Sequence, residues 1–244
     1  MAIVGVNRGT GGNATASTTI SIVPPSNFQA GSLAVLALAY DNSGGAGADP
    51  YSSITDNAGN TWVSRTNGLN DPGAASAGCA LRIFTADVVS LGTSNTITVT
   101  FGSSTTAKSW TLTQLTSDLP NYVARFIEAK TPATGSGTTP TLVVATPIPR
   151  AIFCAMGNEG NATVTADSDI INGNWSTQQT ISNGTGTSGI QVASQYKDVI
   201  SDGTQTYNLT LSASGDWVAC AIRLVENLDF TPSDPFGMMG FFGL

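Results

Sequence analysis

Histidine is absent from this chain of 244 residues. That removes the commonest general base at neutral pH, every histidine-containing triad and every imidazole metal site. Charge is scarce: lysine and arginine number 9, aspartate and glutamate 16, and the net charge is −7. The basic residues, among them Arg8, Arg65, Arg82 and Lys108, are scattered, so a nucleic-acid groove has no electrostatic footprint. Glutamate occurs only as Glu128, Glu159 and Glu226, none of them in a recognisable carboxylate-pair motif. Neither a P-loop nor a nucleophile elbow is present. These absences predict a protein that is not an enzyme and needs no cofactor.

Long apolar runs are missing too. No stretch approaches the ~20 residues that cross a bilayer, so no membrane partner is expected. The opening Met-Ala-Ile-Val-Gly-Val-Asn-Arg has neither the charged leader nor the apolar run of a secretory signal, which predicts a soluble protein made in a cytoplasm without a signal peptide. Three cysteines, Cys79, Cys154 and Cys220, leave one unpaired whatever bonds form. Each lies in an apolar run and reads as a small buried hydrophobe.

What the chain does have is turn and strand chemistry. It holds 27 glycines and 11 prolines, and 41% of it is hydrophobic, enough to argue against disorder. Ile97, Val99 and Phe101 alternate with Thr96, Thr98 and Thr100, the period of a half-buried strand. A Gly-Ser-Ser-Thr-Thr loop follows, then a second strand through Trp110 and Leu112. The unit returns near the C-terminus as Tyr207, Leu209 and Leu211, a Ser-Ala-Ser-Gly-Asp turn, and a strand from Trp217 to Leu224.

The rest of the chain echoes in the same order. Residues 18–23, stopped by Pro24 and Pro25, match residues 142–146, stopped by Pro147 and Pro149. The apolar run at 32–40 reads as a central strand, its residues 33–39 match 151–157, and Gly59-Asn60-Thr61-Trp62 matches Asn172-Gly173-Asn174-Trp175. Residues 79–89 match 190–200. Strands in register with loops of varying length predict an internal duplication, with repeats at about 16–116 and 139–225 inside a body of residues 1–226. Two sets of about five strands predict an all-β fold, an antiparallel β-sandwich of jelly-roll or related type. Whether each copy is one sheet or one small sandwich stays open. The short bridge at 117–127, and the apolar surface that a lone copy would bare, favour one interlocked domain. Residues 67–78 and the Gly/Thr/Pro-rich 130–140 read as loops.

Four aromatic positions, Trp62, Trp110, Trp175 and Trp217, fall at matched places and are expected to pack the core. Tyr51 and Tyr122, unmatched and in loops, are the better candidates for stacking on a sugar. Residues 56–60 and Asp167-Ser168-Asp169 carry oxygens of the kind calcium uses, but Asx turns use them equally well without metal, and no metal site is expected. After Glu226 the pattern stops. The tail at 227–244 carries four of the nine phenylalanines and two of the four methionines, broken by two prolines and three glycines. Phe230, Phe236, Met238, Met239, Phe241, Phe242 and Leu244 are the expected partner-binding residues, suited to adaptable grooves on a sister subunit or neighbour.

The order Ala30-Gly31-Ser32-Leu33-Ala34-Val35, Ile54-Thr55-Asp56, Gly59-Asn60-Thr61-Trp62 and Arg82-Ile83-Phe84-Thr85-Ala86, with the closing echo Asp216-Trp217-Val218-Ala219, resembles a duplicated β-sandwich domain of tailed-bacteriophage virion structural proteins. The resemblance covers roughly residues 16–225 and carries no catalytic signature. It implies a virion part: a capsid decoration (cement) protein, a head fibre or a tail component. Its partners would be other virion proteins and further copies of itself in a homo-oligomer. The rival expectation is a glycan- or host-receptor-binding module of a tail or fibre.

Overall fold

The computed structural model describes residues 3–41, 49–71, 78–146 and 151–228. Strand makes up 65% of the described residues and helix 1%, so the protein is all-β. The first half holds β1 (Ile3–Asn13), β2 (Ser17–Ile22), β3 (Leu33–Asp41), β4 (Tyr51–Asp56), β5 (Val63–Asn70), β6 (Cys79–Asp87), β7 (Ile97–Thr105) and β8 (Lys108–Ser117). The second holds β9 (Tyr122–Ala129), β10 (Ala133–Gly137), β11 (Thr141–Thr146), β12 (Ala151–Glu159), β13 (Val164–Thr165) and β14 (Gln179–Asn183). It closes with β15 (Ile190–Asp198), β16 (Gly203–Asn208), β17 (Thr210–Leu211) and β18 (Gly215–Leu228).

In the first half β1 pairs with β8, β2 with β7 and β3 with β6, all antiparallel, which is the nesting of a jelly roll. The result is a large sheet of order β1-β8-β3-β6-β5 facing a small sheet β2-β7-β4. In the second half β10 pairs with β18, β11 with β16 and β12 with β15. Its large sheet runs β10-β18-β12-β15-β14, with β9 also on β18, beside the small ladders β11-β16 and β13-β17. Each half therefore closes its own sandwich, in more strands than the alternation alone suggests.

Three apolar cores hold these layers. Alternate residues of β3 explain how. Leu33, Val35, Ala37 and Ala39 meet Ala151, Phe153 and Ala155 of β12 in a core between the two large sheets. The intervening Ala34, Leu36, Leu38 and Tyr40 pack on Ile20, Ile22, Ile97, Val99 and Phe101 of the small sheet. On the far side, Ile152, Cys154 and Met156 pack on Leu142, Val144, Tyr207, Leu209 and Leu211. A strand covered on both faces needs apolar side chains at every position, so β3 and β12 read as unbroken runs rather than alternations. Small residues let the large sheets approach: a Cβ on Gly157 would lie 3.0 Å from that of Ala39.

The polar face of β8 is the exception to this apolar packing. Ser109, Thr111 and Thr113 are buried against the second half. The Thr111 and Ser194 hydroxyls lie 2.8 Å apart, Ser109 donates to the Ile190 carbonyl at 2.7 Å, and Gln179 donates to Thr113 at 2.5 Å.

Segments 117–127 and 130–140, which read as bridge and loop, contain β9 and β10, and β5 extends into the expected loop at 67–78. These are edge strands laid along a neighbour, and an edge tolerates the glycines and threonines that weaken the strand signal of β5 and β10. On two edge strands, β1 and β10, a glycine makes room for an indole. A Cβ on Gly11 would lie 2.7 Å from the Trp110 indole, and one on Gly135 would lie 2.6 Å from that of Trp217. All three cysteines are free and buried. Burial pushes their thiols up, that of Cys220 to about 12, which keeps them unreactive.

Candidate functional site

Each half builds a corner from an aspartate and a tryptophan six residues later. Asp56 accepts from the backbone N–H of Ala58 (2.9 Å) and Asn60 (3.1 Å), from Asn60 Nδ2 (2.7 Å) and from Trp62 Nε1 (2.8 Å). Asp169 accepts from the N–H of Ile171 (3.0 Å), Trp175 Nε1 (3.1 Å) and Lys197 Nζ (2.8 Å). Burial acts to raise the Asp169 carboxyl, but the hydrogen bonds from Lys197 and Trp175 outweigh it and hold the group below the usual range. Asp167 accepts from the N–H of Asp169 and Asn208, yet its burial pushes the carboxyl up. The oxygens that suggested calcium at the sequence level are thus committed to protein donors. Among the described residues, no group of three acidic or sulfur ligands converges on one point.

The four tryptophans divide three to one. Trp62, Trp110 and Trp217 are buried, while Trp175 is only half-buried. Trp175 lines a cleft of about 530 Å³ with Ser176, Gln178 and Gln195. The Lys197 ammonium sits 5.1 Å from the centre of its ring, and Tyr207 is tilted against it at 5.1 Å. The greater exposure of Trp175 follows from the short two-stranded ladders on this side, which cover less of the corner than the three-stranded sheet covers of Trp62.

Tyr51 and Tyr122 are not brought together. Tyr51 pairs with Phe101 in the small sheet of the first half, and Tyr122 pairs with Leu228 at the edge of the second half's large sheet. The Arg82 guanidinium lies 4.1 Å over the Tyr51 ring, which also packs on Phe84. Arg82 is itself fixed by Tyr40 Oη (3.0 Å), Ser64 Oγ (2.9 Å) and Asp49 (2.5 Å), so a ring face that a sugar would use is occupied. Tyr122 is half-buried beside a cleft of about 510 Å³ formed by residues 29–32 and 116–123. The proposed tail residues Phe230, Phe236, Met238, Met239, Phe241, Phe242 and Leu244 lie outside the described residues.

One surface escaped the sequence reading. The Asx turn at Asp169 and the left-handed Asn172 (φ 59°) turn Ile170 and Ile171 outward, 75% and 70% exposed. Ile200, 70% exposed, adjoins them, its N–H donating to the Asn172 carbonyl at 3.1 Å. The matched first-half turn carries Asn57, Ala58 and Val89, with Gly59 in the left-handed region (φ 85°). The signal was present as Ile-Ile beside an Asx turn, but only the fold adds Ile200 to it.

These features define a class by fold alone, an all-β antiparallel sandwich. The chain matches no family model, and comparison with curated proteins and with solved structures likewise finds no match.

Proposed function

We propose that this chain is a structural protein of a tailed-phage virion, a capsid decoration or cement protein that engages neighbouring virion subunits through its C-terminal segment. On this reading it is made in the host cytoplasm, is not an enzyme, and works as a homo-oligomer. We further take its two jelly rolls as copies of one unit. The observation that carries the reading is the build of the body. Two jelly rolls share a core, and ion pairs such as Arg82–Asp49 and Lys197–Asp169 tie charged side chains to one another. Such a body suits a rigid building block better than chemistry, and the strongly apolar residues 230–244 supply a means of attachment.

Immunogold labelling of particles from the source of the chain tests the proposal: regular label on the virion is expected, and unlabelled particles sink it. Deleting residues 230–244 should leave the melting temperature of the body within ~1 °C and abolish oligomer formation or particle binding. A truncated chain that unfolds, or assembles with undiminished affinity, refutes the attachment role.

A second reading, glycan or receptor binding, is favoured by the half-exposed Trp175 beside the carboxamides of Gln178 and Gln195. Binding on a glycan array that Trp175→Ala or Tyr122→Ala abolishes would establish it.

A further inference from the structure

We propose that the isoleucine tip formed by Ile170, Ile171 and Ile200 is the receptor surface for residues 236–244 of a neighbouring copy of the chain. The inference rests on the attachment role proposed above and identifies where the attached segment lands.

The first half serves as an internal control. The same Asx turn, with the same left-handed position and the same indole N–H bond to aspartate, is built there with Asn57 and Ala58. Asn57 is used locally: its Oδ1 accepts the Thr96 N–H at 2.9 Å. The turn geometry therefore asks for no isoleucine. Val88 and Val199, at matched positions, are both buried, so the hydrophobic demand of each corner is met one residue before Val89 and Ile200. Three adjoining isoleucines, each at least 70% exposed, are then surplus to folding. They make a contiguous patch on the order of a few hundred Å², the size at which exposed apolar surface marks a contact site.

The place where the chain leaves the fold points to the occupant. Asp198 of β15, Ala151 of β12 and Leu224 of β18 lie in one row across the large sheet. Because β12 is antiparallel to both neighbours, β15 and β18 run past that row in the same direction. Ile200 and Leu228 thus emerge at the same end, from strands about 10 Å apart. Beyond Leu228 the sequence continues Asp-Phe-Thr-Pro-Ser-Asp-Pro, then Phe-Gly-Met-Met-Gly-Phe-Phe-Gly-Leu, a stretch without charge that matches an uncharged aliphatic patch. Seven residues separate Leu228 from Phe236, a length of chain that reaches at most roughly 25 Å, enough to bring the stretch to the tip of a second copy set against this end. Glycines between the aromatic and methionine side chains let each seat separately against the branched isoleucines.

The test uses the full chain. Ile170→Asn, Ile171→Ala and Ile200→Thr are combined, the first two installing the residues of the matched turn, and self-association is followed by sedimentation alongside a thermal melt. Association should weaken about tenfold or more with melting unchanged. Should the triple variant melt early, Ile171→Ala alone carries the comparison. In a second variant, Ile171→Cys with Gly240→Cys, oxidation should produce disulfide-linked dimers and larger species on a denaturing gel, since the three native thiols are buried. Unchanged association in the isoleucine variants, or a crosslink formed only within one chain, overturns the proposal. If deletion of 230–244 still abolishes association in that case, the attachment role stands and only its landing site is wrong. If the deletion also has no effect, or the wild-type chain stays monomeric, both fail.

Discussion

At the scale of single residues, indole rings and aspartates set the corners of the fold. Trp110 and Trp217 are each 8% exposed and lie over a glycine of the adjoining edge strand. Trp110→Ala and Trp217→Ala should each destabilise the body by ~3–5 kcal/mol in urea unfolding, as large core truncations do. A loss under ~1 kcal/mol with the fold intact would mean that the ring is not packed. The aspartates give the complementary expectation. Because Asp56 and Asp169 already accept from three or more protein donors each, chelation should leave the Tm unchanged. A fall in Tm with EDTA, reversed by Ca²⁺, would reveal a site that binds only the folded state. The pairing of Trp62 with Trp175 was legible from spacing. Their unequal burial was not, because it depends on how much sheet covers each corner.

At the scale of elements, β8 shows what alternation can and cannot say. Its pattern separates Trp110 and Leu112 from Ser109, Thr111 and Thr113, and the ordinary expectation for the hydroxyl face is water. That face is instead buried against β14 and β15, and hydrogen bonds compensate for the lost solvent. Thr111→Val, which leaves the Ser194 hydroxyl without its partner, should cost ~1–3 kcal/mol. Adding Ser194→Ala should recover part of that loss, and a double-mutant cycle measures the coupling. Strictly additive losses would mean that the two hydroxyls do not interact.

At the scale of the whole molecule, buried carboxyls make stability depend on pH. Burial raises Asp41, Glu159, Asp167 and Asp198, with Lys108 partly offsetting the effect at Asp41 and Glu226 adding to it at Asp198. A raised folded-state value means that the folded protein binds the proton more tightly. The stabilisation is therefore complete below the ordinary carboxylate range, ~4, and is lost as the pH rises through the raised values. Asp169, held low by Lys197 and Trp175, works oppositely: its contribution is present above ~4 and is lost as the pH falls further. The Tm should rise from pH 8 to about 5 and fall again below about 4. A Tm that stays flat as the pH falls from 8 towards ~4 would show that these carboxyls are solvated.

The sequence by itself determined the strands with strong signatures and their order: the unbroken run of β3, the alternation of β7, and the matched turns before Trp62 and Trp175. Those are local properties, set by side-chain period and by the backbone preferences of glycine, asparagine and aspartate. Only the tertiary structure decided that each half closes its own jelly roll and that the two large sheets meet back to back. It also drew β10 into a strand from sequence with little β character, since its conformation is imposed by the edge of β18, along which β9 also lies. The isoleucine tip was decided in the same way. Ile200 lies far along the chain from Ile170 and Ile171, and nothing short of the folded contact at Asn172 makes the three one surface.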